Sequence, residues 1–230
     1  MNILRSTIKA IIILLIFGTC VWWGVRVKES FSPSDIWQPR LILDAGHGGE
    51  DGGAVSPNGH CESQINLDIV RKLDQLFAFL GEPALLLRED DVSLHDDVAV
   101  TLREKKVSDL KNRVKAVEQY PAATLVSIHQ NSYPESKYRG TQVFYAPTAG
   151  SQQLAQALQG TVTSRLQPEN TRQEKEIPSS VYLMNHVKNR AVLVECGFLT
   201  NPEEEMLLQQ HGYQCKLSLI LSVVLTDAIR

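Results

Sequence analysis

Cysteine is scarce in this sequence and is never paired in a way that builds a metal knuckle. Four occur among 230 residues, Cys20, Cys61, Cys196 and Cys215, with no CxxC pair, which argues against a structural zinc site. One disulfide is compatible with an oxidising compartment, but the spacing does not choose its partners. The GxSxG elbow of serine hydrolases is absent. So is GxxxxGK[ST], and the glycines between Gly46 and Gly53 do not form a GxGxxG opening a helix, so nothing marks a phosphate-binding loop. Internal repeats and low-complexity tracts are missing too. With 43% hydrophobic and 21% charged residues, the composition is that of an ordinary globular chain.

A long apolar run is also lacking. The most apolar stretch, AIIILLIFGTCVWW at 10–23, falls short of the roughly 20 residues that cross a bilayer. Arg5 and Lys9 precede it, which makes residues 1–30 a signal peptide or signal-anchor. Bulky Val21, Trp22 and Trp23 stand where a small-x-small cleavage site belongs, and the two indoles suit a membrane interface. A retained anchor, with the membrane as partner, is therefore favoured over a released leader. Excess positive charge is confined to this segment: Arg5, Lys9, Arg26 and Lys28 against Glu29 give +3, so residues 31–230 carry −6 of the chain's net −3. An acidic exported domain is a poor nucleic-acid binder, and no nucleic-acid partner is expected.

What remains reads as a linker at 31–39, FSPSDIWQP, and one catalytic domain at 40–230. Apolar runs at 40–46, 84–87, 123–128, 141–146 and 191–198 read as strands. Three- and four-residue apolar spacings place helices from Glu62 to Leu80, around Val107 to Val117, and from Leu154 to Leu166. A fourth helix starts at Asn201-Pro202 and is expected to break at Gly212. Strands alternating with helices predict a single α/β domain with a mainly parallel sheet.

Active sites of such sheets gather beyond the C-terminal strand ends, and reactive residues fall there. His47 follows the first strand in LDAGHGGEDGGA, Glu62 opens the first helix, His129 ends the third strand, and Glu195 ends the fifth. Each alone has an ordinary structural explanation; Glu62, for instance, suits a helix N-terminus. As a set, two imidazoles and a carboxylate match a catalytic zinc shell, with a second carboxylate to move a proton. His47, Glu62 and His129 are thus the candidate ligands of Zn2+ and Glu195 the candidate base. His60 is a spare ligand candidate and His186 a substrate contact, whereas His95 and His211 read as surface residues. Ser127 shares a strand face with His129 but nothing activates it. Cys196 should face away from Glu195 into the core.

The blocks LILDAGHGGEDGGA, CESQINLDI, LVSIHQNS and VLVECGFLTNPEE, with LLLREDD and LKNRVKAVE between them, resemble the zinc-dependent N-acetylmuramoyl-L-alanine amidases of bacteria. The resemblance spans residue 40 to the end. It implies a twisted, mostly parallel sheet flanked by helices, zinc on His47, Glu62 and His129, and Glu195 as the catalytic residue. It also implies peptidoglycan as substrate, cut between N-acetylmuramic acid and L-alanine. The short chain and its N-terminus are most similar to membrane-targeted amidases of endospore formers, which strip stem peptides from spore cortex ahead of the muramic δ-lactam needed for germination. That similarity implies a location facing the cortex between the forespore membranes. No long inserted segment that would serve as an autoinhibitory helix precedes the catalytic strand, so activity is expected to depend on an activating protein or on restricted access to the wall. Another zinc-dependent wall peptidase and a noncatalytic wall-binding protein are the alternatives. Ala45 stands where relatives usually have proline, Gln130 where alanine is frequent, and Met184 and Asn185 where many relatives place an arginine.

Overall fold

Leu41–Ala45 is five residues with every side chain buried, and such a run can only be a strand covered on both faces. In the computed structural model, which describes residues 38–230, it forms β1 of a six-stranded sheet ordered β2-β1-β3-β6-β4-β5. The other strands are β2 (Leu85–Leu86), β3 (Thr124–Asn131), β4 (Gln142–Tyr145), β5 (Lys175–Glu176) and β6 (Ala191–Phe198). Strands β2, β1, β3 and β6 run parallel, while β4 pairs antiparallel with β6 and parallel with β5. The α/β reading therefore holds, with a mixed, largely parallel sheet. The reversal of β4 has a simple cause: the connection from Asn131 to Gln142 contains no helix, and a parallel return usually needs a helical crossover.

Alternation along the strands sorts side chains to two faces. Leu41, Leu43, Val126, Ile128, Val192 and Val194 pack in one cluster with helices α1 (Glu62–Phe79), α3 (Ser151–Arg165) and α6 (His211–Ala228). Ile42, Leu125 and Leu193 point the other way, toward α2 (Leu102–Glu118) and the short α4 (Tyr182–His186). By the same alternation Asp44, Ser127, His129 and Glu195 lie on the α2 and α4 side. Helix α1 buries Ile65, Ile69, Leu73 and Phe77, one stripe at four-residue spacing. Helix α2 opens with a capping box between Thr101 and Glu104. It buries Val114 and Val117 but leaves Val107 exposed, so its first half projects from the sheet.

Two expectations need correction. The strand expected at 84–87 pairs only at Leu85 and Leu86. The last helical segment is broken at Gln209 and Gln210, between α5 (Pro202–Leu208) and α6, and Gly212 lies inside α6. Packing of Leu217, Leu221 and Leu225 into the core outweighs the roughly 1 kcal/mol that a helical glycine costs. The predictions for residues 1–30 and for most of the linker fall outside the described residues. Among those described, no helix is long and apolar enough to cross a membrane.

Candidate metal centre

The first ligand candidate sits in a backbone conformation that few side chains adopt. His47 has φ of 63°, and among the described residues no other non-glycine residue has a positive φ. Two buried arginines hold this turn by its carbonyls. Arg113 of α2 donates to His47 O at 2.7 Å and Ala45 O at 3.0 Å. Arg88 donates to Ala45 O at 2.8 Å, Gly46 O at 3.2 Å and Ser63 O at 2.8 Å. Gly46 and Gly53 make room for the site. A Cβ on Gly46 would stand 2.2 Å from the His129 ring, and one on Gly53 would stand 2.6 Å from Glu62 Oε2.

Glu62 enters from the first turn of α1 and meets both imidazoles. Its Oε1 lies 2.9 Å from His129 Nδ1 and its Oε2 lies 3.4 Å from His47 Nε2. The backbone N–H groups of Ala54 and Gln130 donate to the same carboxylate at 2.9 and 3.0 Å, and Asn66 donates at 3.3 Å. Ligating atoms of His47, Glu62 and His129 all lie within 4.8 Å of one another, which makes the three a candidate metal-binding cluster. The imidazoles approach edge to face, with centroids 5.1 Å apart. They hold the Glu62 carboxyl well below the usual carboxylate range, against the opposing effect of burial. Burial would lower the His47 pKa, but hydrogen bonds to Asp51 and Glu62 outweigh it and raise it to about 9.

Glu195, the candidate base, lies beside this cluster on the neighbouring strand. It lies opposite His129 in the β3–β6 ladder, and the pairing shifts register just beyond, between His129 and Asn131. Its Oε2 is shielded from solvent and has no hydrogen-bond partner. Burial, with some help from the charge of Glu62, raises its pKa to about 7 even though His129 and His47 act the other way. An unpartnered carboxylate oxygen beside three convergent ligand atoms fits a site that takes a cation and a polar substrate. A cleft of about 260 Å³ opens over it, floored by Asp44, Ser127 and Glu195 and walled by Val181 to Met184.

The remaining candidates are dispersed or occupied. His60 is exposed and outside the cluster. His186 is exposed as well, stacked on Tyr182 with centroids 3.7 Å apart. His95 is held by Ser93 at 3.0 Å. Ser127 donates to Asp44 at 2.6 Å and has no imidazole base. Cys61, Cys196 and Cys215 are all free thiols; Cys196 is fully buried in the core behind Glu195, where burial pushes its thiol up. Sequence reasoning passed over Asp51, whose Oδ2 lies 3.0 Å from His47 Nδ1. The signal was present as a carboxylate four residues after His47 in the glycine-rich block.

It also passed over Arg113, which pairs with Asp44 and, at 2.7 Å, with Asp109. Replacing Arg113 with Met is expected to destabilise the fold by about 3–5 kcal/mol, because two carboxylates then lose their buried counter-charge. Adding Asp44→Asn should recover part of the loss, and denaturant titrations of the single and double variants measure it. Equal stability of Arg113→Met and the wild type would refute this account of the loop.

Known proteins share this arrangement of sequence and fold. Residues 41–221 match the N-acetylmuramoyl-L-alanine amidase family. The germination-specific N-acetylmuramoyl-L-alanine amidase of Bacillus subtilis (strain 168) is 32% identical over 200 residues, covering 83% of each chain. Among solved structures, the CwlD amidase from Clostridioides difficile, in complex with the GerS lipoprotein, gives a TM-score of 0.78 at 36% identity, covering 81% of this chain and 96% of that one. An N-acetylmuramoyl-L-alanine amidase from Clostridium difficile 630 gives 0.68 at 27% identity, covering 83% and 96%.

Proposed function

The chain belongs to the N-acetylmuramoyl-L-alanine amidase family, and we propose that it uses His47, Glu62, His129 and Glu195 to cut the amide between N-acetylmuramic acid and L-alanine in peptidoglycan. The observation that carries this reading is the meeting of three ligating side chains beside an enclosed carboxylate whose Oε2 has no partner. His47, Glu62 and His129 would hold the zinc, which when bound would polarise the amide carbonyl and lower the pKa of a water. The donor set fits that ion: two neutral nitrogens and one carboxylate, oriented by Asp51 on His47 and by the backbone N–H groups on Glu62.

The residues of the chain then divide the proton work. Glu195 accepts the proton of the attacking water at its carboxylate. Protonated, it returns that proton to the departing amine of L-alanine. Burial holds this carboxyl at about 7 in the metal-free protein, and a bound dication would bring it lower, leaving it ionised to accept the proton at neutral pH. The substrate would lie in the cleft over Glu195, against the largely apolar wall from Val181 to Met184.

The biological setting we propose is the spore cortex, with stem peptides stripped ahead of δ-lactam formation and the enzyme exported and held at a membrane by its N-terminus. The germination-specific relative supports the cortex assignment. The lipoprotein bound to the clostridial relative supports an activating partner. The test is product analysis of cortex-type peptidoglycan treated with the protein in zinc or in chelator. Free peptides beginning with L-alanine, together with peptide-free muramic acid, are expected with zinc alone. Fragments cut within the stem would overturn the reading in favour of a peptidase.

A further inference from the structure

The cleft over Glu195 is lined by two cations besides the histidines, Arg113 and Lys106. Arg113 is consumed: its side chain is 2% exposed and bound to Asp44, Asp109 and two carbonyls. Lys106 differs in every respect. It projects from the first half of α2, its side chain is 54% exposed, and its ion-pair partner is Asp51 Oδ2 at 3.2 Å. Asp51 does not depend on it, since it already faces His47 Nδ1 at 3.0 Å and accepts from Gly53 N at 3.2 Å. An exposed pair of this kind contributes about 0–1 kcal/mol, so Lys106 can exchange Asp51 for another anion at little cost.

Its position gives that exchange a consequence. Lys106 also lines a second depression of about 130 Å³, on the far side of His47 between the glycine-rich loop and α2. It therefore stands where the two hollows join, two hydrogen-bond lengths from the His47 ring. The neighbouring Lys105 is committed to Glu50 at 2.7 Å and is 22% exposed. The opposite wall, Val181 to Met184, offers no charge.

We infer that Lys106 is the specificity-determining cation of the site, binding a free carboxylate on the stem peptide just beyond the scissile amide. The inference rests on the amidase reading. One residue of extended chain spans about 3.3–3.6 Å, so Lys106 reaches the first or second residue past the cut. The ligand class is an acidic peptide, and a stem whose nearby carboxylate is converted to an amide forfeits the contact.

The experiment is steady-state cleavage of two defined muropeptides, identical except that the carboxylate of the second stem residue is free in one and amidated in the other. Wild type, Lys106→Met and Lys106→Arg are compared using the full chain with zinc. Lys106→Met should raise KM about fivefold for the free acid, the upper worth of one partly exposed ion pair. It should leave kcat unchanged and cleavage of the amidated substrate within about twofold. Lys106→Arg should keep most of the preference. An equal loss on both substrates would overturn the inference and place Lys106 behind Asp51 and His47 instead. No loss on either would overturn it outright. Wild-type cleavage at another bond in both substrates would identify the amidase reading itself as the failure.

Discussion

Replacing Glu195 with Gln is expected to lower turnover by about 10²- to 10⁴-fold, the usual contribution of a positioned general base, while zinc stays bound. The amide fills the same space and lies outside the three-residue ligand cluster, so metal content measured on the purified variant should match wild type. Glu195→Ala should lose turnover to the same degree. Turnover retained by either variant would remove Glu195 from its assigned role. The same substitution should make the metal-free protein more stable in alkali. Burial raises the Glu195 pKa from an ordinary 4.5 to about 7. Between those values the folded state binds more protons than the unfolded one, so stability falls as pH rises through that window. Above it the full cost is present, about 3 kcal/mol for a shift of this size. Gln does not titrate and escapes the cost. Denaturant midpoints in chelator should therefore coincide at pH 4.5 and separate by pH 8, with the variant higher. In the loaded enzyme a nearby dication lowers the carboxyl further, so the acid limb of the rate profile should lie below pH 7.

Strand alternation explains why this much of the site could be read before the fold was in view. In β1, β3 and β6 most residues are apolar, and Asp44, Ser127, His129 and Glu195 interrupt the runs on one face. A polar residue interrupting such a run is visible in one dimension. The elements that escaped notice lack any period: β5 has two residues and α4 has five. The break between α5 and α6 was misplaced because Gly212 is locally the stronger breaker, whereas tertiary packing of α6 carries the helix through it. The support of the site was hidden for a different reason. Arg113 reaches the His47 carbonyl across 66 residues of sequence, and Gln130 contributes through its backbone N–H, which no side-chain pattern reveals. Asp51 was legible in principle, being four residues from His47, but the surrounding glycines drew the reading toward backbone freedom alone.

Zinc affinity is expected to strengthen about tenfold per pH unit below pH 9, because the metal takes the place of a proton on His47. A ligating imidazole must be neutral. In the metal-free site burial favours neutrality, but the carboxylates of Asp51 and Glu62 prevail and hold the ring protonated up to about pH 9. Metal binding at neutral pH must therefore expel that proton, and the apparent Kd should fall by about two decades between pH 6.5 and pH 8.5. Asp51 has a second effect of opposite sign. With Nδ1–H donated to Asp51, the other nitrogen, Nε2, is left as the ligand atom facing Glu62, and loss of such an outer partner costs about 10–100-fold in affinity. Asp51→Asn should consequently bind zinc more weakly at pH 8.5 but respond less to pH, since its His47 gives up the proton more readily. Competition titrations against a chelating dye, with proton release followed in weak buffer, measure both effects. The Glu195→Gln background removes the proton exchange of that neighbouring carboxyl from the measurement. An apparent Kd that stays constant from pH 6.5 to 8.5 in that background would show that His47 does not exchange its proton for the metal.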